Sequence, residues 1–232
     1  MPTFIVDNDA DFTRPICLSE EDEHHLVRVL RVKAGECIRA TNNHGRVVEL
    51  KITTLTPLAF DVISVRTAEA PTSITVCLPL IEQDRMEWAI EKLTELNIAK
   101  VQLITTEFTQ TRELKSNKII RLTKASIAAQ KQCGRATPLT ILSPTPLSQI
   151  DYQASTIKIV ASPKTQTSIH DVLCEHSPRS WKSILVGPEG GFSPSEEKLL
   201  QGKDFFQVNL GESILRAETA AVIMAALVRY CD

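Results

Sequence analysis

The chain has 232 residues, 43% of them hydrophobic and 23% charged, which excludes a disordered polymer, a collagen-like repeat and a small disulfide-stapled scaffold. Basic residues number 26 against 28 acidic, a formal charge of −2. No global positive field therefore recruits nucleic acid, and any such surface has to be a local patch. The six cysteines (Cys17, Cys37, Cys77, Cys133, Cys174, Cys231) are dispersed and form no C-x-x-C pair. No apolar run approaches the ~20 residues of a membrane span, and the acidic N-terminus lacks the basic-then-apolar order of a signal peptide. These features predict a cytoplasmic protein with reduced thiols and no membrane partner. His170, Cys174 and His176 are the one grouping that hints at a metal; with no second ligand pair nearby, no metal is expected.

In chain order, the first 70 residues read as short strands and turns. Ser19 with Asp22 resembles a capping box opening a short helix over EEDEHHLVRVL. K-A-G-E at 33–36 and N-N-H-G at 42–45 supply turns between CIRAT, VVELKI and AFDVISV, the pattern of a small barrel or curled sheet. From about residue 72 the periodicity changes. ITVCLPLI precedes a helix, MEWAIEKLTEL, with Met86, Ile90, Leu93 and Leu96 on one face; VQLIT and a long polar helix from about 113 to 132 follow. Then come IKIVA, a helix near 168–175, SILVG, a helix from about 194, FFQVNLG and the closing helix RAETAAVIMAALVRY. Strands separated by helices predict βαβ units and a mostly parallel sheet. The proline-bearing seam AEAPTS at 68–73 divides the chain into domains 1–70 and 71–232.

The densest chemical signal is G-P-E-G-G-F-S-P-S-E at 187–196, directly after SILVG. Ser193 and Glu196 have capping-box spacing with Pro194 at the first helical position. The preceding glycines allow close backbone approach to a ligand, at the strand ends where open parallel sheets bind ligands. Neither phosphate-loop nor dinucleotide spacing is present, and the Glu189 carboxylate suits a neutral or cationic ligand. A second strand-to-helix loop, L-G-E-S-I-L-R-A-E-T-A at 210–220, places Ile214 and Leu215 to wall an apolar pocket. It also puts Arg216, Glu218 and Thr219 on the first helical turn. A cation at a helix N-terminus breaks the dipole rule, a mark of function. The third feature is basic: Arg112, Lys115, Lys118, Arg121, Lys124, Lys131 and Arg135 face only Glu113, the best candidate for a phosphate-backbone contact.

The two C-terminal motifs together resemble those of the ribosomal RNA small subunit methyltransferase E family, trefoil-knotted (SPOUT-class) enzymes that methylate N3 of a uridine in 16S rRNA. His25 with Val29, Leu30, Arg31 and Gly35, then Asp84-Arg85-Met86-Glu87 with Lys92 and Thr94-Glu95-Leu96, and Gln132-Cys133-Gly134-Arg135 with Pro138 carry the resemblance through most of the chain. It implies an α/β protein with an N-terminal PUA-like β-barrel for RNA and a C-terminal knotted domain with a mostly parallel sheet. That second domain binds S-adenosylmethionine and forms a homodimer. Periodicity by itself predicts an ordinary doubly wound sheet, so the knot is implied by the resemblance alone.

The resemblance assigns the cofactor to three loops. These are Ala161, Ser162 and Pro163; Val186, Gly187, Pro188, Glu189, Gly190 and Gly191; and Leu210, Gly211, Ser213, Ile214, Leu215, Arg216 and Thr219. The expected catalytic residues are Arg216, stabilising charge, and Glu189 or Glu218, acting as base or orienting cofactor or arginine. The RNA contacts expected are His25, Arg28 and Arg31 in the first domain and Arg112, Lys115, Arg121, Lys124 and Arg135 in the second. The implied partner is 16S rRNA in the small ribosomal subunit, near the decoding site. Ser213 stands where the family has arginine, TEFTQT at 106–111 lacks an arginine and a serine, Glu82-Gln83 replaces a basic position, and Asn97 replaces glycine. These departures support a rival expectation: a knotted RNA-binding module that has lost its chemistry.

Overall fold

A computed structural model describes residues 3–6, 12, 15–152, 155, 157–174 and 180–230. The chain forms two compact units, one comprising Met1–Pro71 with Ile127–Pro138 and the other Thr72–Ser126 with Leu139–Asp232.

The first unit holds a four-stranded sheet in the order β1 (Thr3–Ile5), β2 (Cys37–Thr41), β3 (Arg46–Leu55), β4 (Leu58–Thr67). β1 runs parallel to β2, and the remaining pairs are antiparallel. Alternate residues of these strands, among them Phe4, Ile38, Ala40, Val48, Leu50 and Ile52, are buried with Leu26 in one apolar cluster. The helix expected over 20–30 is split into α1 (Glu20–His24) and a π-helical turn at His25–Val29. Ser19 Oγ accepts the Asp22 N–H at 3.1 Å, as an N-cap does. The box is not completed, because the Asp22 carboxylate is taken by Lys131 Nζ at 2.6 and 2.8 Å.

The boundary expected at residue 70 omits the segment 127–138, which packs with the first unit. Besides the Lys131–Asp22 pair, Gln130 Nε2 donates to Asn43 Oδ1 at 2.7 Å. The Ala136 carbonyl accepts from both Thr41 Oγ1 and the Gly45 N–H at 3.1 Å. The long basic helix α3 (Ser116–Cys133) therefore contributes its last two turns to the first unit.

The second unit is built on six parallel strands, β5 (Ile74–Pro79), β6 (Lys100–Thr105), β7 (Thr140–Pro146), β8 (Ile157–Ala161), β9 (Lys182–Leu185) and β10 (Phe206–Val208), in the order β10-β8-β9-β5-β6-β7. Both faces are covered, so the central strands are nearly continuous apolar runs. Val76 and Leu78 of β5 face a cluster that includes α2 (Gln83–Glu95) and α6 (Ala217–Tyr230), while Cys77 faces Tyr152, Leu185, Leu200 and Phe205. Met86, Ile90 and Leu93 are fully buried, each stabilising by about 1.5–3 kcal/mol. Two short helices, α4 (Ile169–Cys174) and α5 (Pro194–Gly202), complete the unit.

Strand β7 has no counterpart in the sequence reading, because Pro144 and Pro146 remove two N–H groups and mask it as loop; as an edge strand it tolerates them. Gln102 secures the irregular register there, donating to the Ser143 carbonyl at 2.8 Å. The chain steps outward from β5 through β6 to β7, then returns on the other side of β5 as β8 and β9. That reversal places the carboxyl ends of β8, β9 and β10 side by side, where ligands bind in open α/β sheets.

Candidate active site

Three loops leave these neighbouring strand ends and enclose a cavity of about 530 Å³, within the range of small-molecule sites. The first follows β8 and contributes Ala161, Ser162, Pro163 and Lys164. The second follows β9 and contributes Val186, Gly187, Pro188, Glu189, Gly190, Gly191 and Phe192. The third follows β10 and contributes Asn209, Leu210, Gly211, Ser213, Ile214, Leu215 and Arg216. Val160, Leu200, Ala217 and Ala220 add apolar wall. Thr219 is not among the lining residues.

Local chemistry fixes each loop. Gly191 sits at φ +71°, a left-handed conformation that closes a turn through its N–H to the Pro188 carbonyl at 2.9 Å. The expected capping box follows: Ser193 Oγ accepts the Glu196 N–H at 3.3 Å and Glu196 Oε2 accepts the Ser193 N–H at 2.9 Å, with Pro194 at the helix start. Asn209 ties the other two loops together, donating Nδ2 to the Thr165 carbonyl at 2.8 Å and accepting the Gly211 N–H on Oδ1 at 2.7 Å. Lys164 is neutralised by Glu197 at 2.5 Å. Ile214 is 90% exposed at the rim, an apolar side chain open to a ligand.

Electrostatically the site turns on Arg85, in the first turn of α2. Its Nη1 lies 2.5 Å from Glu189 Oε1, and its Nε lies 3.3 Å from Glu82 Oε2 and 3.9 Å from Glu218 Oε1. The hydrogen bond that Arg85 donates to Glu189 is the largest influence raising its pKa above the ordinary value, with the Glu218 and Glu82 charges adding to it. Both carboxylates expected as candidate bases thus share one guanidinium, and Glu218 is buried. Arg216, by contrast, forms no ion pair among the described residues and lines the cavity with an exposed side chain. It lies just before α6 rather than within its first turn, its carbonyl accepting the Ala220 N–H at 2.8 Å.

The basic residues are dispersed. In the first unit Arg28 and Arg31 are exposed and His25 is half-buried. Arg135 does not face solvent: it is buried, with Nε donating to the Thr137 carbonyl at 2.6 Å and Nη2 to the Pro138 carbonyl at 3.3 Å, so it braces its own chain. In the second unit Arg112, Lys115 and Lys124 are exposed, while Arg121 is bound to Glu87 at 2.8 Å and Asp84 at 3.2 Å. His170 and Cys174 stand one helical turn apart, with Sγ 3.6 Å from the ring nitrogens; His176 lies outside the described residues. No group of three potential metal ligands occurs among the described residues. No helix among them is long and apolar enough to cross a membrane.

Sequence reasoning missed Arg85, Asn209 and Lys164 as parts of this site. Arg85 lies within the Asp84-Arg85-Met86-Glu87 motif, and Asn209 is the polar residue that follows β10.

Comparison with known proteins agrees with this geometry. An RNA methyltransferase domain model matches residues 68–229, and an RNA methyltransferase PUA domain model matches residues 18–63. The ribosomal RNA small subunit methyltransferase E of Rickettsia conorii is 32% identical over 220 residues, covering 91% of this chain and 87% of that protein. Among solved structures, a Legionella pneumophila protein in complex with S-adenosylmethionine is 25% identical with a TM-score of 0.83, covering 98% of this chain and 96% of that one. The ribosomal RNA small subunit methyltransferase E of Neisseria gonorrhoeae, bound to S-adenosyl methionine, has the same fold at 24% identity and a TM-score of 0.81, covering 98% and 96% of the two chains. The small N-terminal sheet is PUA-like, and the six-stranded parallel sheet is typical of SPOUT methyltransferases. This chain belongs to the ribosomal RNA small subunit methyltransferase E family.

Proposed function

We propose that the chain transfers a methyl group from S-adenosylmethionine to N3 of one uridine in 16S rRNA of the small ribosomal subunit, near the decoding site, acting in the cytoplasm as a homodimer. The observation that carries this reading is the three-loop cavity at the ends of β8, β9 and β10. Its residues suit the cofactor: apolar wall from Leu210, Ile214 and Leu215 for a nucleoside, and open backbone at 187–191; the Glu189 carboxylate, expected to meet a cation of the ligand, is instead taken by Arg85. When bound, S-adenosylmethionine supplies an electrophilic methyl group on a sulfonium whose sulfur keeps the bonding electrons.

N3 of uracil carries a proton, so that proton departs to solvent or a base as the N–C bond forms from the nitrogen's electron pair. Loss of that proton places negative charge on the ring's carbonyl oxygens, and the charge is discharged once the N–C bond is complete. Arg216, at the cavity wall without an ionic partner among the described residues, is the group suited to stabilise that charge. Arg85 holds Glu189 and Glu218, giving the two carboxylates a positioning role. Arg28 and Arg31, with Arg112, Lys115 and Lys124, remain exposed for phosphate. The exposed Trp88 on α2 and Ile223 and Tyr230 on α6 supply apolar surface for a second copy.

Ser213, exposed at the rim in place of an arginine, favours the rival reading of a binding module without chemistry. Incubating the protein with labelled S-adenosylmethionine and small subunits lacking the modification separates the two. Label in 3-methyluridine at a single site supports the enzyme; cofactor and subunit binding without label supports the module.

A further inference from the structure

Loop 106–109, which follows β6, is held rigidly and presents one aromatic ring. Thr106 and Thr109 are buried and joined at 2.8 Å between their hydroxyls, and the Thr106 N–H donates to Thr109 Oγ1 at 2.9 Å. The Glu107 N–H donates to Glu196 Oε1 at 2.8 Å, and Ser195 Oγ donates to Glu107 Oε2 at 3.4 Å. The loop is therefore clamped to the start of α5, directly after the glycine segment. Between these anchors Phe108 is 48% exposed. It lies against Gly190: a Cβ on that glycine would come within 3.1 Å of the Phe108 Cβ and 3.5 Å of its ring.

Phe108 is half open to water although Thr106 and Thr109 of the same loop are buried and hydrogen-bonded, so its contact with Gly190 leaves part of the ring free. Gly190 lines the cavity and is next in sequence to Glu189; Phe108, itself outside the lining, packs against that glycine. The same loop runs on to the exposed cations Arg112 and Lys115. The geometry points to Phe108 as the stacking platform for the target uracil, holding the base by its face so that its N3 edge meets the cavity. Single-stranded bases splayed from their neighbours are bound in this way, stacked on aromatic faces. This inference rests on the proposed function, and it assigns substrate recognition to a residue outside the three cofactor loops.

The test compares full-length wild type with F108A, F108L and F108W. Three quantities are read: kcat and KM for unmethylated subunits, calorimetric affinity for S-adenosylmethionine, and oligomeric state by sedimentation. Stacking predicts about a tenfold rise in KM for F108A and F108L, restoration in F108W, and cofactor affinity within about twofold of wild type throughout. F108L behaving as wild type overturns the inference, since leucine keeps the apolar bulk and loses the π face. Cofactor affinity falling in step with activity, or dissociation of a dimer in F108A, overturns it too, in favour of packing or an interface. If wild type itself transfers no methyl group, the proposed function fails. The platform is then decided by affinity for a uridine-containing single-stranded RNA, and equal binding by wild type and F108A overturns it.

Discussion

Arg85 and Glu189, 104 positions apart in sequence, meet at 2.5 Å, and that pair fastens the glycine loop of the cavity to helix α2. Because Glu218 of α6 lies within 3.9 Å of the same guanidinium, one side chain connects three elements around the site. Arg85→Met removes the tether and leaves the buried Glu218 without its cation. The expected result is about a tenfold loss of S-adenosylmethionine affinity, with Arg85→Lys intermediate because a point charge replaces a two-sided fork. Calorimetric titration checks this, and unchanged affinity in Arg85→Met refutes the tether.

Arg216 lies at the cavity wall without an ionic partner among the described residues, so its charge is available to a reacting group. Arg216→Ala is expected to lower kcat about 100-fold, the usual scale for one lost charge-stabilising donor, while cofactor affinity stays within about threefold. Single-turnover methylation of subunits alongside cofactor titration measures both. Equal losses in the two would reassign Arg216 to cofactor binding.

How much of this was legible beforehand depended on the range of each interaction. The Ser193–Glu196 box and the apolar stripe of Met86, Ile90 and Leu93 are local, written within one or two helical turns, and the structure has both. Ser19 and Asp22 show the same spacing, yet Asp22 is drawn away by Lys131, 109 residues distant, so the local rule lost to a tertiary ion pair. The two cofactor-loop motifs were readable as strand-to-helix turns; that Arg85 neutralises their carboxylates was not, because its partners are far along the chain. In sequence the segment 106–111 stands out only for lacking an arginine and a serine; the exposure of Phe108 depends on the distant anchors Glu196 and Ser195.

The Lys131–Asp22 pair is the strongest polar link between the end of α3 and the first unit, with Asp22 almost wholly buried. Asp22→Asn removes the charge while keeping the shape, leaving Lys131 without its counter-ion. A destabilisation of about 2 kcal/mol is expected, read from urea unfolding. Hydrogen exchange should quicken in 20–29 and 127–133 together, and quickening in only one of them would show that the two segments do not act as one.

Cys77 is fully buried on β5, and burial pushes its thiol up to about 12 from an ordinary 9.0. Above pH 9 the unfolded thiol loses its proton while the folded one keeps it, so the unfolded state binds fewer protons. Stability conferred by this group is therefore complete below about pH 9 and is lost as pH rises toward 12, by up to about 1.4 kcal/mol per unit. Cys77→Ala should flatten the wild-type decline between pH 8 and pH 10.5 in urea midpoints. At pH 8 the exposed Cys17, Cys37, Cys133 and Cys174 should react with a thiol reagent in the native protein and Cys77 should not; modification of Cys77 under those conditions would contradict its burial.

The two borders of the six-stranded sheet are both poor templates. On one side β7 carries Pro144 and Pro146, which have no N–H to donate; on the other β10 is only three residues long. A parallel sheet assembles slowly from distant segments and leaves its strands exposed while it does so. Here a passing chain finds no continuous ladder to extend at either border, which protects the nascent unit from fibrillar growth. It also confines stable self-association to side-chain surfaces, where two copies can part without unravelling the strands that carry the site.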